Sequence, residues 1–332
     1  MPLEPALREL SRTIGETLPG LPSSAMNATE ARRRAGIRAR LAELIAGGEP
    51  STDGQQTVNW RGYEFAVRII SRTAGPPDSL ATEGDGVGPL VLFLHSGGWV
   101  AGSTDACRRA CQVIATGLEA TVVALDYPLA PERPYPAALD TTCAALDWLA
   151  SGESGLAGDP GQVVVAGESA GGNLAAAALL RNRDAGNPVP IRAALLVVPV
   201  LDGDFGRPSY ERFDRGDIDG RSGMHWYSQQ YLAGRDEELS ATAYVWPLRS
   251  ASLGGLPPVI LVQAQYDPLV DEQEEFVFRL GVDGGDVTAL RYPGVGHSFF
   301  GLDHLSPSAA RAQAEACAAV AGALGRGQRG PA

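Results

Sequence analysis

Apolar residues recur at helical spacing near the start of the chain, at Leu7, Leu10, Ile14 and Leu18, and again at Ile37, Leu41 and Ile45. With polar residues between them, the pattern predicts two amphipathic helices over residues 5–47. From Val58 the pattern becomes strand-like, and residues 73–88, rich in Gly, Pro and Asp, read as a surface loop. Short unbroken apolar runs follow at 90–94, 121–125, 163–166, 193–198 and 259–262, the composition of strands buried on both faces. Helix-forming stretches separate most of these runs. Strand and helix alternating in this way predict an α/β fold, a mostly parallel central sheet flanked by helices. Residues 203–245 break the rhythm. Polar, aromatic and rich in turns, they are expected to be an insertion over the carboxyl edge of the sheet, forming a lid with the first fifty residues. Residues 325–332 are expected to be a disordered tail.

Composition narrows the partners. The 332 residues hold 27 basic and 39 acidic side chains, a net charge of −12, so attraction to nucleic acid or an anionic membrane is not expected. The start lacks a basic segment followed by an apolar one, and no stretch reaches the roughly eighteen uncharged apolar residues of a membrane span. A cytoplasmic protein is the expectation. Four cysteines in a chain of this length do not suggest a disulfide framework, and Cys107 and Cys111, four apart with no histidine beside them, read as packing rather than a zinc site. No metal or other cofactor is expected. The run Arg32-Arg33-Arg34 reads as a solvated helix face, since no aromatic residues interleave with it.

The strongest chemical signal begins in the run that ends at Ala166. It leads into Gly167-Glu168-Ser169-Ala170-Gly171-Gly172 and then a helix-forming stretch rich in alanine and leucine. Strand, sharp turn and helix are the setting of a Gly-x-Ser-x-Gly elbow, in which small residues two before and two after the serine let the strand and helix backbones approach closely. Ser169 is the candidate nucleophile. The run 90–94 leads into His95-Ser96-Gly97-Gly98-Trp99, whose glycines can present bare amides to a carbonyl oxygen. Such a loop alone is as readily a tight turn. Paired with the Ser169 elbow, it predicts an oxyanion hole built from the Gly97, Gly98 and Ala170 amides, each donor worth about 3 kcal/mol of barrier.

A serine needs an adjacent base, oriented by a carboxylate. Of the four histidines, His95 lies in the glycine loop, His225 in the insertion and His304 in a polar stretch. His297, just past the strand-like segment 287–292, is the candidate base. Asp267, at the end of the 259–262 run, is the candidate carboxylate, and Asp271 falls in the first turn of the next helix, where it serves the helix end. The order Ser169, Asp267, His297 is that of the α/β hydrolases. Glu168 is given no catalytic role.

These motifs together resemble the hormone-sensitive-lipase-like esterases, bacterial family IV of the α/β hydrolases. The blocks are His95-Ser96-Gly97-Gly98-Trp99, Asp126-Tyr127-Pro128-Leu129-Ala130-Pro131-Glu132 with Pro136-Ala137-Ala138, the Ser169 elbow, Asp267-Pro268-Leu269, and Tyr292-Pro293-Gly294 with His297. The resemblance implies an eight-stranded sheet with a helical cap. It gives 1–50 as N-terminal cap helices, 51–202 with 246–324 as the catalytic domain, and 203–245 as the cap insertion. Ser96 stands where the family has the first glycine of its loop, Pro128 where it usually has arginine, and Ser298 where a glycine often follows the histidine. None of these removes a catalytic group.

The function so implied is hydrolysis of a small to medium, largely apolar carboxylic ester. Its pocket would be shaped by Trp99, Trp226, Tyr227 and Phe299, with Tyr231 beside them. For any one of these rings, ordinary core is the competing assignment. The same triad also serves acyl transfer, cyclisation or lactone chemistry, which the sequence does not separate, because the choice depends on how dry the closed site is. A non-catalytic small-molecule receptor is a further alternative, weakened by the presence of His297. A homodimer stays open.

Overall fold

A computed structural model describes residues 3–18, 26–46, 55–71, 88–213 and 220–328. Two helices, α1 (Pro5–Thr17) and α2 (Ala28–Ala46), precede the hairpin of β1 (Gln55–Trp60) and β2 (Tyr63–Ile70). Then follow β3 (Pro89–Leu94), α3 (Arg108–Gly117), β4 (Thr121–Asp126), α4 (Ala137–Ala150), β5 (Asp159–Glu168), α5 (Ala170–Asp184) and β6 (Ile191–Val197). Between β6 and β7 (Val259–Tyr266) lie α6 (Pro208–Phe213), α7 (Arg221–Leu232), α8 (Asp236–Leu239) and one 3-10 turn. The chain closes with α9 (Val270–Val282), β8 (Val287–Gly296) and α10 (Pro307–Gln328).

The eight strands form one sheet in the order β1-β2-β4-β3-β5-β6-β7-β8. The pairings β1–β2 and β2–β4 are antiparallel, and all later neighbours run parallel. Alternation along the strands explains why both faces are covered. Leu90, Leu92 and Leu94 of β3 pack with α4, α5 and α9 on one face, while Val91 and Phe93 pack with α3 and α10 on the other. Each such side chain, taken from water to full burial, contributes about 1.5–3 kcal/mol.

Two expectations change. The tail expected from residue 325 is helical through Gln328, because Ala316, Val320 and Ala323 present a continuous apolar stripe to the α3 layer and carry the helix past the last core contact. Residues 329–332 lie outside the described residues, as does nearly all of the 73–88 loop. The arginine run of α2 is only partly a solvated face. Arg33 is exposed beside Glu30, but Arg34 is buried, and Arg32 reaches across to donate to the carbonyls of Val100 (2.9 Å) and Ala130 (3.0 Å) and to pair with Glu132 at 2.6 Å. α2 is thereby tied to the chain just beyond the glycine loop. Among the described residues, no helix is long and apolar enough to cross a membrane.

Candidate active site

Three strand ends converge. β5 stops at Glu168, and Ser169 takes φ +57° and ψ −115°, a conformation that costs a residue with a side chain on the order of 1–3 kcal/mol. The surroundings hold it there. The Ser169 amide donates to Val197 O at 2.9 Å, and its carbonyl accepts from Asn173 N at 2.9 Å and Val200 N at 3.2 Å. The turn is as tight as its sequence requires. A Cβ on Gly171 would be driven into the Leu94 carbonyl and would sit 2.6 Å from His95 O, which explains the glycine two positions beyond the serine.

β8 delivers His297 one residue after its end at Gly296, and β7 delivers Asp267 one residue after Tyr266. His297 donates from Nδ1 to Asp267 Oδ1 at 2.9 Å, which leaves Nε2 to accept from Ser169 Oγ at 2.8 Å. The carboxylate fixes this tautomer, since it can only accept. Asp267 is fully buried, at 0% exposure, yet well supplied with donors. Its Oδ1 also accepts from Leu269 N at 2.9 Å, and its Oδ2 accepts from Gln273 Nε2 at 3.2 Å. Ser169 is buried, with 8% of its surface exposed.

The glycine loop lies beside the elbow. Gly97 and Gly98 have φ of +131° and +60°, and Trp99 follows at +60°. Ala170 opens α5, so its amide belongs to the helix end whose N–H groups have no partner within the helix. A Cβ on Gly98 would stand 2.5 Å from Cγ of Tyr227 and 2.7 Å from its Cε1, so the α7 ring lies directly against this glycine. His95 turns away from the chemistry. It stacks on Tyr127 with centroids 4.1 Å apart, and its burial lowers its pKa, which keeps it neutral. The Tyr127 hydroxyl donates to His95 O at 2.9 Å and steadies the loop from behind.

Of the aromatic residues expected around a pocket, two are core instead. Trp99 is fully buried, stacked on Tyr231 at 4.6 Å and 6°, with Nε1 donating to Asn173 Oδ1 at 3.3 Å. The left-handed backbone of Gly98 and Trp99 turns the indole inward. Phe299 is also buried, packed with Tyr292 and Phe300 in the α3–α10 layer. Tyr227 stays at the site, and Trp226, half-buried, meets it edge to face at 5.1 Å. His225 and His304 are remote from the triad in their contacts, the first against Phe205 and the second beside Asp303. Asp271 accepts from Ser209 N at 2.8 Å and so links α6 to α9.

Two positions escaped sequence reasoning. Asn173, read only as part of a helix-forming stretch, is buried and donates to Val200 O (3.0 Å) and Val245 O (2.8 Å) while accepting from Trp99. It joins α5, the glycine loop and the end of the insertion. A single amide within the apolar stretch 170–180 of this helix was the available signal. Gln273 is the other, hidden by its place in an ordinary polar helix turn. Glu168, beside the nucleophile, has its pKa pushed up to about 7, chiefly by burial; the His297 side chain and a hydrogen bond from the Phe300 amide oppose the rise, and the charge of Asp267 adds to it.

Comparison with known proteins agrees with this fold. Residues 91–301 match the family described as the alpha/beta hydrolase fold. The carboxylesterase NlhH of Mycobacterium tuberculosis is 33% identical over 86% of this chain and 88% of its own length. The ethyl acetate hydrolase of Pseudomonas putida is 31% identical over 88% of each chain. Among solved structures, a hyperthermophilic esterase from the archaeon Pyrobaculum calidifontis superposes with a TM-score of 0.84 at 28% identity, covering 97% of this chain and 99% of the other.

Proposed function

The chain belongs to the hormone-sensitive-lipase-like branch of the α/β-hydrolase fold family and is a carboxylic ester hydrolase; on that premise we propose that Ser169 is its nucleophile, His297 its general base and acid, and Asp267 the group that orients the base. Ser169 Oγ bonds to the acyl carbon as its proton passes to His297 Nε2. The Gly97, Gly98 and Ala170 amides hold the oxyanion that forms. Collapse breaks the bond to the alcohol oxygen, which leaves with the proton from Nε2, and water repeats the two steps on the acyl-enzyme. Asp267 stays ionised and balances the charge on the imidazolium.

The substrate is a small to medium, largely apolar ester, received between the elbow and a cap composed of residues 1–50 and 203–245. Tyr227 and Trp226 line its cap side. The contact of Tyr227 with Gly98 and the reach of Arg32 to Val100 support this cap. The four cysteines are free, which fits a reducing cytoplasm.

One observation carries the reading: the unbroken chain from Ser169 Oγ through His297 to Asp267, at 2.8 and 2.9 Å. Replacing Ser169 with alanine and assaying a short-chain p-nitrophenyl ester tests it. The expected loss in kcat is about 10⁴-fold or more with the fold intact, and turnover equal to that of the unaltered chain overturns the assignment.

A further inference from the structure

We propose that Gln273 is a positioning residue for the reaction, the group that sets the aim and charge of Asp267 from the side opposite His297. The proposal rests on the triad reading above. Gln273 lies in the first turn of α9, six positions after Asp267, and its side chain folds back beneath the carboxylate. It is fully buried. Its Nε2 is shared between Asp267 Oδ2 at 3.2 Å and Pro199 O at 3.4 Å.

The orientation of the amide is dictated by its neighbours. Both groups facing Nε2 are acceptors only, one a carboxylate oxygen and the other a backbone carbonyl, so the reversed amide would set oxygen against oxygen twice. The cost of the observed orientation is visible on the far side, where Gln273 Oε1 is buried with no hydrogen-bond partner. A glutamine present only to fill space would gain nothing from an orphaned carbonyl, and an apolar side chain of the same length would fill that space without it. The polar group is kept where only its donor half is used, and that half faces Asp267.

Two effects on the reaction follow. Asp267 Oδ1 accepts from Leu269 N and His297 Nδ1, so a donor on Oδ2 fixes the remaining rotation of the carboxylate and keeps Oδ1 aimed at the imidazole. The same donor draws part of the negative charge toward Oδ2 and tempers the pull of Asp267 on the imidazolium. Without it the carboxylate turns more freely and holds a protonated His297 more strongly. Gln273 lies behind Asp267, away from Ser169, so substrate binding is untouched by its loss.

Gln273→Met in the full chain, with a short-chain p-nitrophenyl ester, tests this. Expected are a fall in kcat of about tenfold, KM within about twofold, and the acid limb of the kcat/KM profile moved to higher pH by about half a unit. The unfolding midpoint should stay within about 3 °C, since the substitution also removes an orphaned carbonyl. A kcat and pH profile unchanged in Gln273→Met, with Ser169→Ala inactive, overturn the role of Gln273 and leave the triad standing. An active Ser169→Ala overturns the triad itself. Should the methionine variant fail to fold, Gln273→Leu also removes the donor and is read in the same way.

Discussion

The two sides of the surroundings of Ser169 are built differently. On one side stand Ser169, His297, Asp267 and Gln273, small or polar groups at strand ends and a helix start, joined by hydrogen bonds of 2.8 to 3.2 Å. On the other stands α7, which meets the glycine loop through rings: Tyr227 lies against Gly98, and one helical turn on, Tyr231 stacks on Trp99. The polar wall draws its precision from directional bonds and from the fixed ends of strands. The aromatic wall draws its own from shape, and shape has many solutions in sequence. That difference teaches why the chemistry can be read in local motifs while the cap is specified by how its rings interlock.

The comparison can be broken first at Phe299. If it belongs to the core and not to the aromatic wall, Phe299→Ala lowers stability by about 3–5 kcal/mol in urea unfolding while KM for a short ester changes less than about twofold. A large rise in KM with stability kept would return it to the pocket. The next test sharpens the junction between the walls. In Gly98→Ala the new Cβ meets the Tyr227 ring at a left-handed backbone position, and kcat is expected to fall about 10²–10³-fold. Adding Tyr227→Ala to that variant should recover part of the loss, because the collision goes and only the backbone strain remains. No recovery would mean that the ring does not confine the loop.

The smallest effect concerns charge within the polar wall. Glu168 has a pKa of about 7 in the fold against 4.5 in the open chain, so the fold favours its protonated form. Its contribution to stability is therefore complete below pH 4.5 and is lost as pH rises through about 7, at most about 3 kcal/mol in all. Glu168→Gln, which cannot ionise, should lack that slope in chemical unfolding measured from pH 4.5 to 8. An unchanged slope would place the titration elsewhere, with Glu272, also raised by burial, the next group to test.

How much was legible follows the same division. The sheet, the elbow and the grouping of Ser169, Asp267 and His297 could be read because each depends on a local rule: buried strands need apolar runs, a strained turn needs glycines, and a relay needs its residues just past strand ends. For Trp99 the sequence left pocket and core both open, because its left-handed backbone depends on the glycines before it and is invisible to composition; the ring is buried. Phe299 follows the base in sequence, yet the turn after β8 points it through to the opposite layer. Asn173, Gln273 and Arg32 act across distances that no local spacing records, and only the folded chain shows what they touch.

The placement of β7 and β8 at the far edge of the sheet has a kinetic consequence. Ser169, the proposed nucleophile, is made midway along the chain, whereas Asp267 and His297, its proposed partners, come about a hundred residues later, just past the ends of β7 and β8. The end of β8 before His297 is further stitched to the residues just before α1, Glu4 N donating to Gly294 O at 2.9 Å. Contacts of such long range form late, since they close the largest loops. On the proposed assignment, a growing or half-folded chain thus carries Ser169 with no base to activate it. On the proposed assignment, activity becomes a report that Ser169, Asp267 and His297 have met, and an ester is safe from this protein until its folding is finished.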